Sequence, residues 1–255
     1  MTMLDLFSLS GKRALVTGAS RGLGRAIAEA LAGAGADVAC ASTKAGGVAE
    51  TADAIRSMGR QAWELHGDLA DRDDLNRLAG DVERVAGTID ILVNNGGSIA
   101  RAAAVDFDAN EWDRVLRTNL DAVWLLSQRF GRAMVARRSG KIINVASLLS
   151  FSGGIRVPAY TASKHAVAGI TKALANEWAQ HDVQINAIAP GYFTTDNTLA
   201  LRSDPARLAE ISARIPAARW GSPADLGGAA VFLASQASNY INGHVLVVDG
   251  GWMAR

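Results

Sequence analysis

A chain of 255 residues with 49% hydrophobic and 20% charged residues has an ordinary globular composition and can bury one sizeable core. Its formal net charge of +1 leaves no basic excess for a nucleic-acid surface. Cys40, the single cysteine, excludes an internal disulfide, and the first residues lack the basic and then apolar order of a secretory signal. We therefore expect one domain, spanning 1–255, in a cytoplasmic protein.

Short apolar segments alternate with segments of helix length along the whole chain. This alternation predicts parallel strands joined by crossover helices, so the expected fold class is α/β: a doubly wound, Rossmann-type parallel sheet of seven strands with helices on both faces. The segment from Leu226 to Val248 has no charged residue, but its Ser, Gln, Asn, Gly and His residues favour a buried helix, turn and strand over a membrane span. The predicted strands read RALVT, DVACAS, AWELHGD, IDILVNN, KIINVAS, VQINAIAP and HVLVVDG.

The first predicted strand runs into the glycine-rich segment TGASRGLG, which a helical segment follows. Glycines between a strand and a helix permit a tight turn and close approach of the backbone to a pyrophosphate at the helix N-terminus. A cluster spaced GxxxGxG also fits a simple turn. The residues that we expect to contact a cofactor here are Gly18, Ser20, Arg21, Gly22, Leu23 and Gly24.

The end of the second predicted strand carries no carboxylate. An acidic residue at this place bonds the adenosine ribose of NAD, whereas a basic surrounding accepts the 2′-phosphate of NADP. Ser42 and Thr43 stand at the position, and Arg21 and Lys44 can approach it. We expect NADP(H) to be preferred over NAD(H), although Arg21 and Lys44 also fit solvated surface positions.

Two further strand ends carry polar or small residues. Asp68 can accept a hydrogen bond from an adenine amino group, and the glycines of the segment NNGG let a ribose lie against the backbone, although this segment also fits a bare turn. The predicted cofactor contacts at these strand ends are Asp68, Leu69, Asn95, Gly96 and Gly97.

Tyr160 and Lys164 are four residues apart, which places them on one face of a helix. An ammonium near a phenol favours the phenolate, so the pair can move a proton, although a Tyr-x-x-x-Lys pair is also common on helix surfaces. Ser147 follows the apolar segment KIINVA, at a strand end where open α/β sheets bind ligands. Asn119 lies among apolar residues of a long helix, where its amide requires partners.

These motifs together resemble the short-chain dehydrogenase/reductase family over nearly the whole chain. The similar features are TGASRGLG, NNGG, Asn119, Ser147, the segment YTASK and Pro190-Gly191. Within the family the second half is similar to the 5-dehydrogenases of gluconate and 2-dehydro-3-deoxygluconate, in segments that include SFSGGIRVPAYTASK and RIPAARWGSPADL. Gly97 replaces an Ala that is usual in the family, a change that we expect to leave the turn intact.

The resemblance implies an enzyme that transfers a hydride between a nicotinamide and a carbon carrying a hydroxyl or ketone. It implies that Tyr160 protonates the developing alkoxide and that Ser147 hydrogen-bonds the same oxygen. Lys164 would lower the pKa of Tyr160 and reach the nicotinamide ribose, and Asn119 would hold a water. It also implies a homotetramer and further cofactor contacts at Pro190, Gly191 and Thr194.

A sugar-acid substrate requires a cation for its carboxylate, and Arg suits the bidentate geometry. The candidates are Arg101 and Arg156, with Arg219 and Trp220 closing over the site from a small lobe or lid at about 192–223. Surface or interface charges are equally good interpretations of these arginines. The four histidines lack ligand spacing, so we expect no metal site.

Two other functions use the same motifs. A 3-oxoacyl thioester reductase of fatty-acid synthesis would favour a basic docking surface. Arg129, Arg132, Arg137 and Arg138 could provide one, although they also fit one face of a solvated helix. A dinucleotide-sensing protein without turnover would require no proton donor, so the presence of Ser147, Tyr160 and Lys164 argues against it. We expect a small-molecule substrate and neither a nucleic-acid nor a membrane partner.

Overall fold

The computed structural model describes residues 2–255, and its seven strands form one parallel sheet in the order β3-β2-β1-β4-β5-β6-β7. Each strand coincides with one of the apolar segments of the sequence. The strand bounds are β1 Arg13–Thr17, β2 Asp37–Ser42, β3 Ala62–His66, β4 Ile91–Asn94, β5 Gly140–Val145, β6 Val183–Pro190 and β7 Val245–Val248.

Helices cover both faces of this sheet. Side chains of Asp71, Asp108 and Asp204 accept hydrogen bonds from backbone amides at the starts of α3, α4 and α8, which fixes where these helices begin. The helix bounds are α1 Gly22–Gly33, α2 Ala49–Ser57, α3 Arg72–Ala86, α4 Ala109–Leu116, α5 Ala122–Arg137, α6 Pro158–Trp178, α7 Leu199–Arg202, α8 Pro205–Arg214 and α9 Gly227–Ala234.

Successive residues of each central strand enter two different cores. In β1, Ala14 and Val16 pack in the core beneath α1, α2 and α9, whereas Leu15 packs in the core beneath α3, α5 and α6. Ile143 and Ile142 divide in the same way in β5. Burial on both faces explains why the strands are continuous apolar segments. The predicted doubly wound α/β fold is confirmed.

The strand order reverses between β1 and β4. The chain builds outward from β1 through β2 to β3 and then returns to add β4 on the other side of β1. The two connections therefore leave the sheet in opposite directions, and a crevice opens at the carboxyl ends of β1 and β4. This crevice contains the glycine loop that follows β1 and the NNGG segment that follows β4.

The long helix expected around Asn119 is divided by one π-helical turn, Arg117–Asp121, between α4 and α5. An inserted residue of this kind widens one turn and is frequent at functional sites. The segment from Leu226 to Val248 forms α9, a turn and β7, as expected. Within residues 2–255 no helix combines the length and the apolar character that crossing a bilayer requires.

Candidate active site

A cavity of about 490 Å³ occupies the carboxyl edge of the sheet. It runs from the glycine loop past the strand ends to the start of the lobe, and most of the predicted site residues line it. Those are Gly18, Ser20, Arg21, Gly22, Leu23, Gly24, Ser42, Thr43, Asp68, Leu69, Asn95, Gly96, Gly97, Ser147, Tyr160, Lys164, Pro190 and Gly191.

The glycine loop leaves free the space that side chains would fill. Gly18 and Gly22 have φ angles of 65° and 56°, which side chains rarely adopt. A Cβ atom on Gly24 would overlap the carbonyl oxygen of Gly18 and the side-chain amide of Asn95. The helix N-terminus can therefore approach a pyrophosphate closely, and the loop fits the dinucleotide that its motif predicts.

Thr17 joins the glycine loop to the NNGG segment. Its hydroxyl accepts hydrogen bonds from the backbone amides of Asn95 at 3.1 Å and Gly96 at 2.9 Å. The Asn95 side chain in turn donates to the carbonyl oxygens of Thr17 at 2.9 Å and Gly18 at 3.2 Å. NNGG is therefore more than a bare turn, since it fixes the two loops that flank the crevice.

The part of the cavity predicted to receive the adenosine is lined by Ser42 and Thr43 at the end of β2. The Ser42 hydroxyl donates to the carbonyl oxygen of Lys44 at 3.0 Å, and the residues directly after β2, Thr43 and Lys44, carry no carboxylate. Arg114 and Thr118 also line this cavity, and neither belongs to a motif of the sequence. They are four residues apart on the helix that leads to Asn119, and this helical spacing is the signal that could have revealed them.

Ser147, Tyr160 and Lys164 meet at the carboxyl end of β5. Ser147 lies two residues beyond β5, and α6 begins at Pro158, so Tyr160 and Lys164 occupy its first turns. The Lys164 ammonium lies 5.5 Å from the centre of the Tyr160 ring and donates to the carbonyl oxygen of Val145 at 2.6 Å. Tyr160 and Lys164 lie on one face of α6, as predicted, but the Lys164 ammonium is hydrogen-bonded to a carbonyl oxygen of β5.

Burial dominates the proton affinity of this group of residues. Desolvation raises the pKa of Tyr160 above its ordinary value, while the hydroxyl of Ser147 and the charge of Arg101 act to lower it. Burial alone lowers the pKa of Lys164 to about 8. In this structure the Lys164 ammonium is hydrogen-bonded to Val145, and the lowering of the Tyr160 pKa by Lys164 that the resemblance implies stays a prediction.

Asn119 lies in the π-helical turn and is buried. Its amide oxygen accepts from the Ser98 backbone amide at 2.8 Å, and its amide nitrogen donates to the Ser98 carbonyl oxygen at 2.9 Å and to the Ser163 hydroxyl at 3.1 Å. Ser163 donates to the carbonyl oxygen of Tyr160 at 2.7 Å. The side chain thus ties the loop after β4 to α6, and its predicted role in holding a water remains a prediction.

The predicted substrate arginines differ in position. The charge of Arg101 acts to lower the pKa of Tyr160, and its guanidinium donates to the carbonyl oxygen of Asn197 at 2.9 Å. Arg156 is exposed and has a φ angle of 65°. Its carbonyl oxygen accepts a hydrogen bond at 3.1 Å from the backbone amide of Ala102, the residue after Arg101. Neither residue lines the cavity, and of the two only Arg101 acts on the phenol.

Three lobe residues expected to contact substrate or cofactor, Arg219, Trp220 and Thr194, form hydrogen bonds to other residues of the chain. Arg219 forms a two-pronged ion pair with Asp225 at 2.6 and 3.0 Å, and the Trp220 indole donates to the Ser212 hydroxyl at 2.9 Å. Thr194 is exposed, lies outside the cavity lining, and donates to the carbonyl oxygen of Gly221 at 3.3 Å. Its predicted cofactor contact stays a prediction. The lobe residues that line the cavity are Phe193, Thr195, Asp196, Asn197 and Thr198.

The described residues, 2–255, contain no cluster of three or more His, Cys, Asp or Glu side chains that could hold a metal ion. The four histidines are dispersed along the sequence. The cavity brings together a phenol, a hydroxyl and an ammonium beside the polar backbone of the two loops.

Comparison with known proteins identifies the family and relatives that this chain resembles. The family model described as Enoyl-(Acyl carrier protein) reductase matches residues 18–253. The 2-dehydro-3-deoxy-D-gluconate 5-dehydrogenase of Bacillus subtilis (strain 168) is 52% identical over 251 residues, covering 98% of each chain.

Two solved structures extend this likeness to the fold. One, from Beutenbergia cavernae, is named as a candidate NAD(P)-dependent gluconate 5-dehydrogenase with bound NADP at low occupancy. It is 52% identical, has a TM-score of 0.95, and the match covers 98% of this chain and 100% of that one. The other is a gluconate 5-dehydrogenase from Burkholderia cenocepacia J2315 in complex with NADP and tartrate, 40% identical with a TM-score of 0.95 over 100% of each chain.

The family match extends from the glycine loop to the last residues of the chain, and the relatives keep about half of the sequence over its full length. A fold alone does not establish an activity, but here the family match spans the part of the chain, residues 18–198, from which most of the cavity lining comes. The chain is therefore a member of the short-chain dehydrogenase/reductase family, an oxidoreductase that acts on CH–OH groups with a nicotinamide dinucleotide.

Proposed function

We propose that this enzyme interconverts a secondary alcohol and a ketone on a sugar acid, as a 2-dehydro-3-deoxy-D-gluconate 5-dehydrogenase or a closely related gluconate 5-dehydrogenase. The observation that carries the proposal is the contact of Arg101 with the cavity wall: its guanidinium donates to the carbonyl oxygen of Asn197, which lines the cavity, and its charge lowers the pKa of Tyr160. A cation beside the cavity can hold the carboxylate of a short acidic substrate while the substrate hydroxyl meets the phenol. The names of the Bacillus and Burkholderia relatives support this substrate class.

The proposed mechanism uses three side chains. A bound nicotinamide dinucleotide supplies or accepts the hydride. Tyr160 gives its phenolic proton to the substrate oxygen during reduction and takes it back during oxidation. Ser147 donates a hydrogen bond to the same oxygen, which stabilises the negative charge that develops there. Lys164 holds a positive charge beside the tyrosine ring, 5.5 Å from its centre.

The proton lost from Tyr160 must be replaced after each reduction. We propose that Asn119 contributes by fixing the loop after β4 against α6, through Ser98 and Ser163. The π-helical turn that contains Asn119 alters the backbone hydrogen bonding beside the cavity. A water held by this turn would connect Lys164 to solvent.

NADP(H) is the proposed preferred cofactor, with NAD(H) as the second. The absence of a carboxylate after β2 removes the usual partner of the NAD ribose, and Arg21 lines the cavity with Ser42 and Thr43. The Beutenbergia and Burkholderia structures contain NADP, which supports the preference. Pro190, Gly191 and Thr194 are the proposed contacts at the nicotinamide end.

We also propose a homotetramer, a cytoplasmic location and a lid formed by about 192–223. Trp112 and Trp124 are 36% and 39% exposed on α4 and α5, an exposure of large apolar side chains that favours contact with a second subunit. The one cysteine, Cys40, is buried and free, which suits a reducing compartment. The lobe residues that line the cavity support a lid.

The test is a set of initial rates with purified enzyme, followed by the absorbance of reduced nicotinamide. Oxidation of 2-dehydro-3-deoxy-D-gluconate and gluconate is compared with reduction of 5-keto-D-gluconate, acetoacetyl thioesters and plain ketones, each with both cofactors. We expect the largest kcat/KM for a sugar acid and a lower KM for NADP(H) than for NAD(H). A thioester preferred over every sugar acid would contradict the proposed substrate class.

The thioester reductase is the alternative enzyme function, and it requires free cations on the docking surface. Arg129 pairs with Glu83 at 2.7 Å. Arg137 and Arg138 donate to the carbonyl oxygens of Ile89 and Gln180, both at 2.7 Å. Arg137 also lies 3.6 Å from the Asp90 carboxylate. Because Arg129 and Arg137 are each paired with a carboxylate, the surface offers less free positive charge than its sequence indicates, which favours the sugar acid.

A further inference from the structure

One short turn connects the lobe to both loops of the cofactor site. The turn is Asp196–Thr198. Arg21 of the glycine loop places its Nε 2.7 Å from the carboxylate of Asp196, and Arg101, beyond NNGG, donates to the carbonyl oxygen of Asn197 at 2.9 Å. Arg21 and Asp196 both line the cavity. An ion pair therefore spans the mouth of the cofactor site.

The position of Asp196 is fixed by the turn itself. The Thr198 hydroxyl donates to the carbonyl oxygens of Phe193 at 2.6 Å and Thr195 at 2.9 Å, and it accepts from the Thr195 amide at 3.2 Å. Thr195 lies against the glycine loop, since a Cβ on Gly22 would be 3.5 Å from its methyl group. The turn thus presents the Asp196 carboxylate to Arg21.

The ion pair is exposed and exchangeable. The side chains of Arg21 and Asp196 are 75% and 65% exposed, and ion pairs in contact with water contribute little to stability. A phosphate monoester carries more negative charge than a carboxylate and accepts bidentate hydrogen bonds from a guanidinium. It can therefore displace Asp196 from Arg21, but the carboxylate then remains nearby and repels it.

We propose that Asp196 is a specificity-determining residue, whose carboxylate competes with the 2′-phosphate of NADP(H) for Arg21. The competition weakens binding of NADP(H) and leaves binding of NAD(H), which lacks this phosphate, nearly unchanged. The lobe then keeps its ion pair to the glycine loop with NAD(H) and releases it with NADP(H). This inference rests on the proposed role of Arg21 in NADP(H) recognition.

The test measures dissociation constants of NADPH and NADH by fluorescence titration, so it is independent of the substrate. In Asp196→Asn we expect NADPH to bind about two- to fivefold more tightly, the range of an exposed ion pair, with NADH changed less than about twofold. The effect decreases at high salt because the charges are exposed. Glu210→Gln is the matched control. It removes another lobe carboxylate, which pairs with Arg207 and lies outside the cavity lining, and neither constant should change.

A double-mutant cycle distinguishes the competition between Asp196 and the 2′-phosphate from the role of Arg21 in NADP(H) recognition, on which it rests. In an Arg21→Ala background, Asp196→Asn should no longer alter NADPH binding. If Arg21→Ala weakens NADPH binding but Asp196→Asn does not strengthen it, the competition is wrong and the NADP(H) preference stands. Equal tightening of both cofactors would indicate lobe opening and would also overturn it. If Arg21→Ala leaves NADPH binding unchanged, the role of Arg21 itself fails.

Discussion

The Lys164 ammonium lies 5.5 Å from the centre of the Tyr160 ring, yet its hydrogen bond goes to the Val145 carbonyl oxygen at 2.6 Å. The lysine thus anchors α6 to the end of β5 and holds a positive charge over the ring. Proton transfer itself is left to the phenol, whose pKa is raised by burial. This division of roles leads to separate predictions for the two residues.

Replacement of Tyr160 by Phe removes the phenolic proton and keeps the ring over Lys164. We expect turnover to fall about 10²- to 10⁴-fold, the usual contribution of a general acid. The dissociation constant of NADPH should remain near the wild-type value. Steady-state kinetics and fluorescence titration measure the two quantities, and wild-type turnover in Tyr160→Phe would refute the assignment.

Arg101→Gln removes a positive charge that lowers the pKa of Tyr160. The pKa should therefore rise, and since oxidation requires the deprotonated phenol, the pH profile of kcat/KM for oxidation should move to higher pH. The KM for a sugar acid should rise as well. Arg156→Gln serves as the matched control, because Arg156 has no such effect on Tyr160. Its profile should stay in place, and an equal shift in both variants would contradict the assignment.

Lys164→Met should change stability in a pH-dependent way. Burial lowers the pKa of Lys164 from 10.5 to about 8 in the folded chain, so between these values the unfolded chain binds more protons. Burial of the Lys164 charge lowers the free energy of unfolding, and this cost is fully present below pH 8 and disappears as the pH rises to 10.5. The Tm of the variant relative to wild type should therefore fall across this window.

Lys141 provides the comparison, since burial also lowers its pKa to about 8. It lies at the opposite end of β5, where it donates to the Asn239 side chain at 2.8 Å. Lys141→Met should show the same trend of Tm with pH and keep its activity, whereas Lys164→Met should lose it. Thermal melts over the alkaline range measure the trend, and a flat difference would count against the lowered pKa values.

Gly24→Ala tests the close approach of the glycine loop. Its Cβ would overlap the Gly18 carbonyl oxygen and the Asn95 amide, so we expect cofactor binding to be lost and the fold destabilised. Gly33→Ala, in the same helix, meets no atom within 4 Å and should stabilise the chain by about 0.4–1 kcal/mol. Tm values and NADPH titrations compare the two, and a Gly24→Ala enzyme with normal binding would refute the fit.

The strands and the cofactor loops could be predicted because each depends on local patterns. Burial on both faces requires uninterrupted apolar strands, and a tight turn beside a phosphate requires glycine. The π-helical turn at Arg117–Asp121 could not be predicted, since one inserted residue barely changes the hydrophobic periodicity of a helix. The partner of Asn119 was equally inaccessible, because Ser98 lies on another segment.

Partners of exposed arginines could not be read from the sequence either. Arg219 was expected to close over the substrate, but Asp225, six residues later, holds it in a two-pronged ion pair. Arg21 was expected at the 2′-phosphate, and its contact with Asp196 joins residues that are remote in sequence. Both ion pairs depend on how the lobe packs against the sheet, and local sequence patterns do not encode this packing.

A buried line of amides and hydroxyls lies beneath the reacting groups. Asn94 of β4 donates to Asn144 of β5 at 2.9 Å, and Asn144 donates to Thr171 of α6 at 3.0 Å. Directional bonds of this kind admit one alignment of strand and helix, whereas apolar contacts tolerate sliding. The lobe can therefore be redesigned for another substrate while these hydrogen bonds are kept. They hold β5 and α6 in one alignment, and this alignment fixes the spacing between Ser147 and Tyr160.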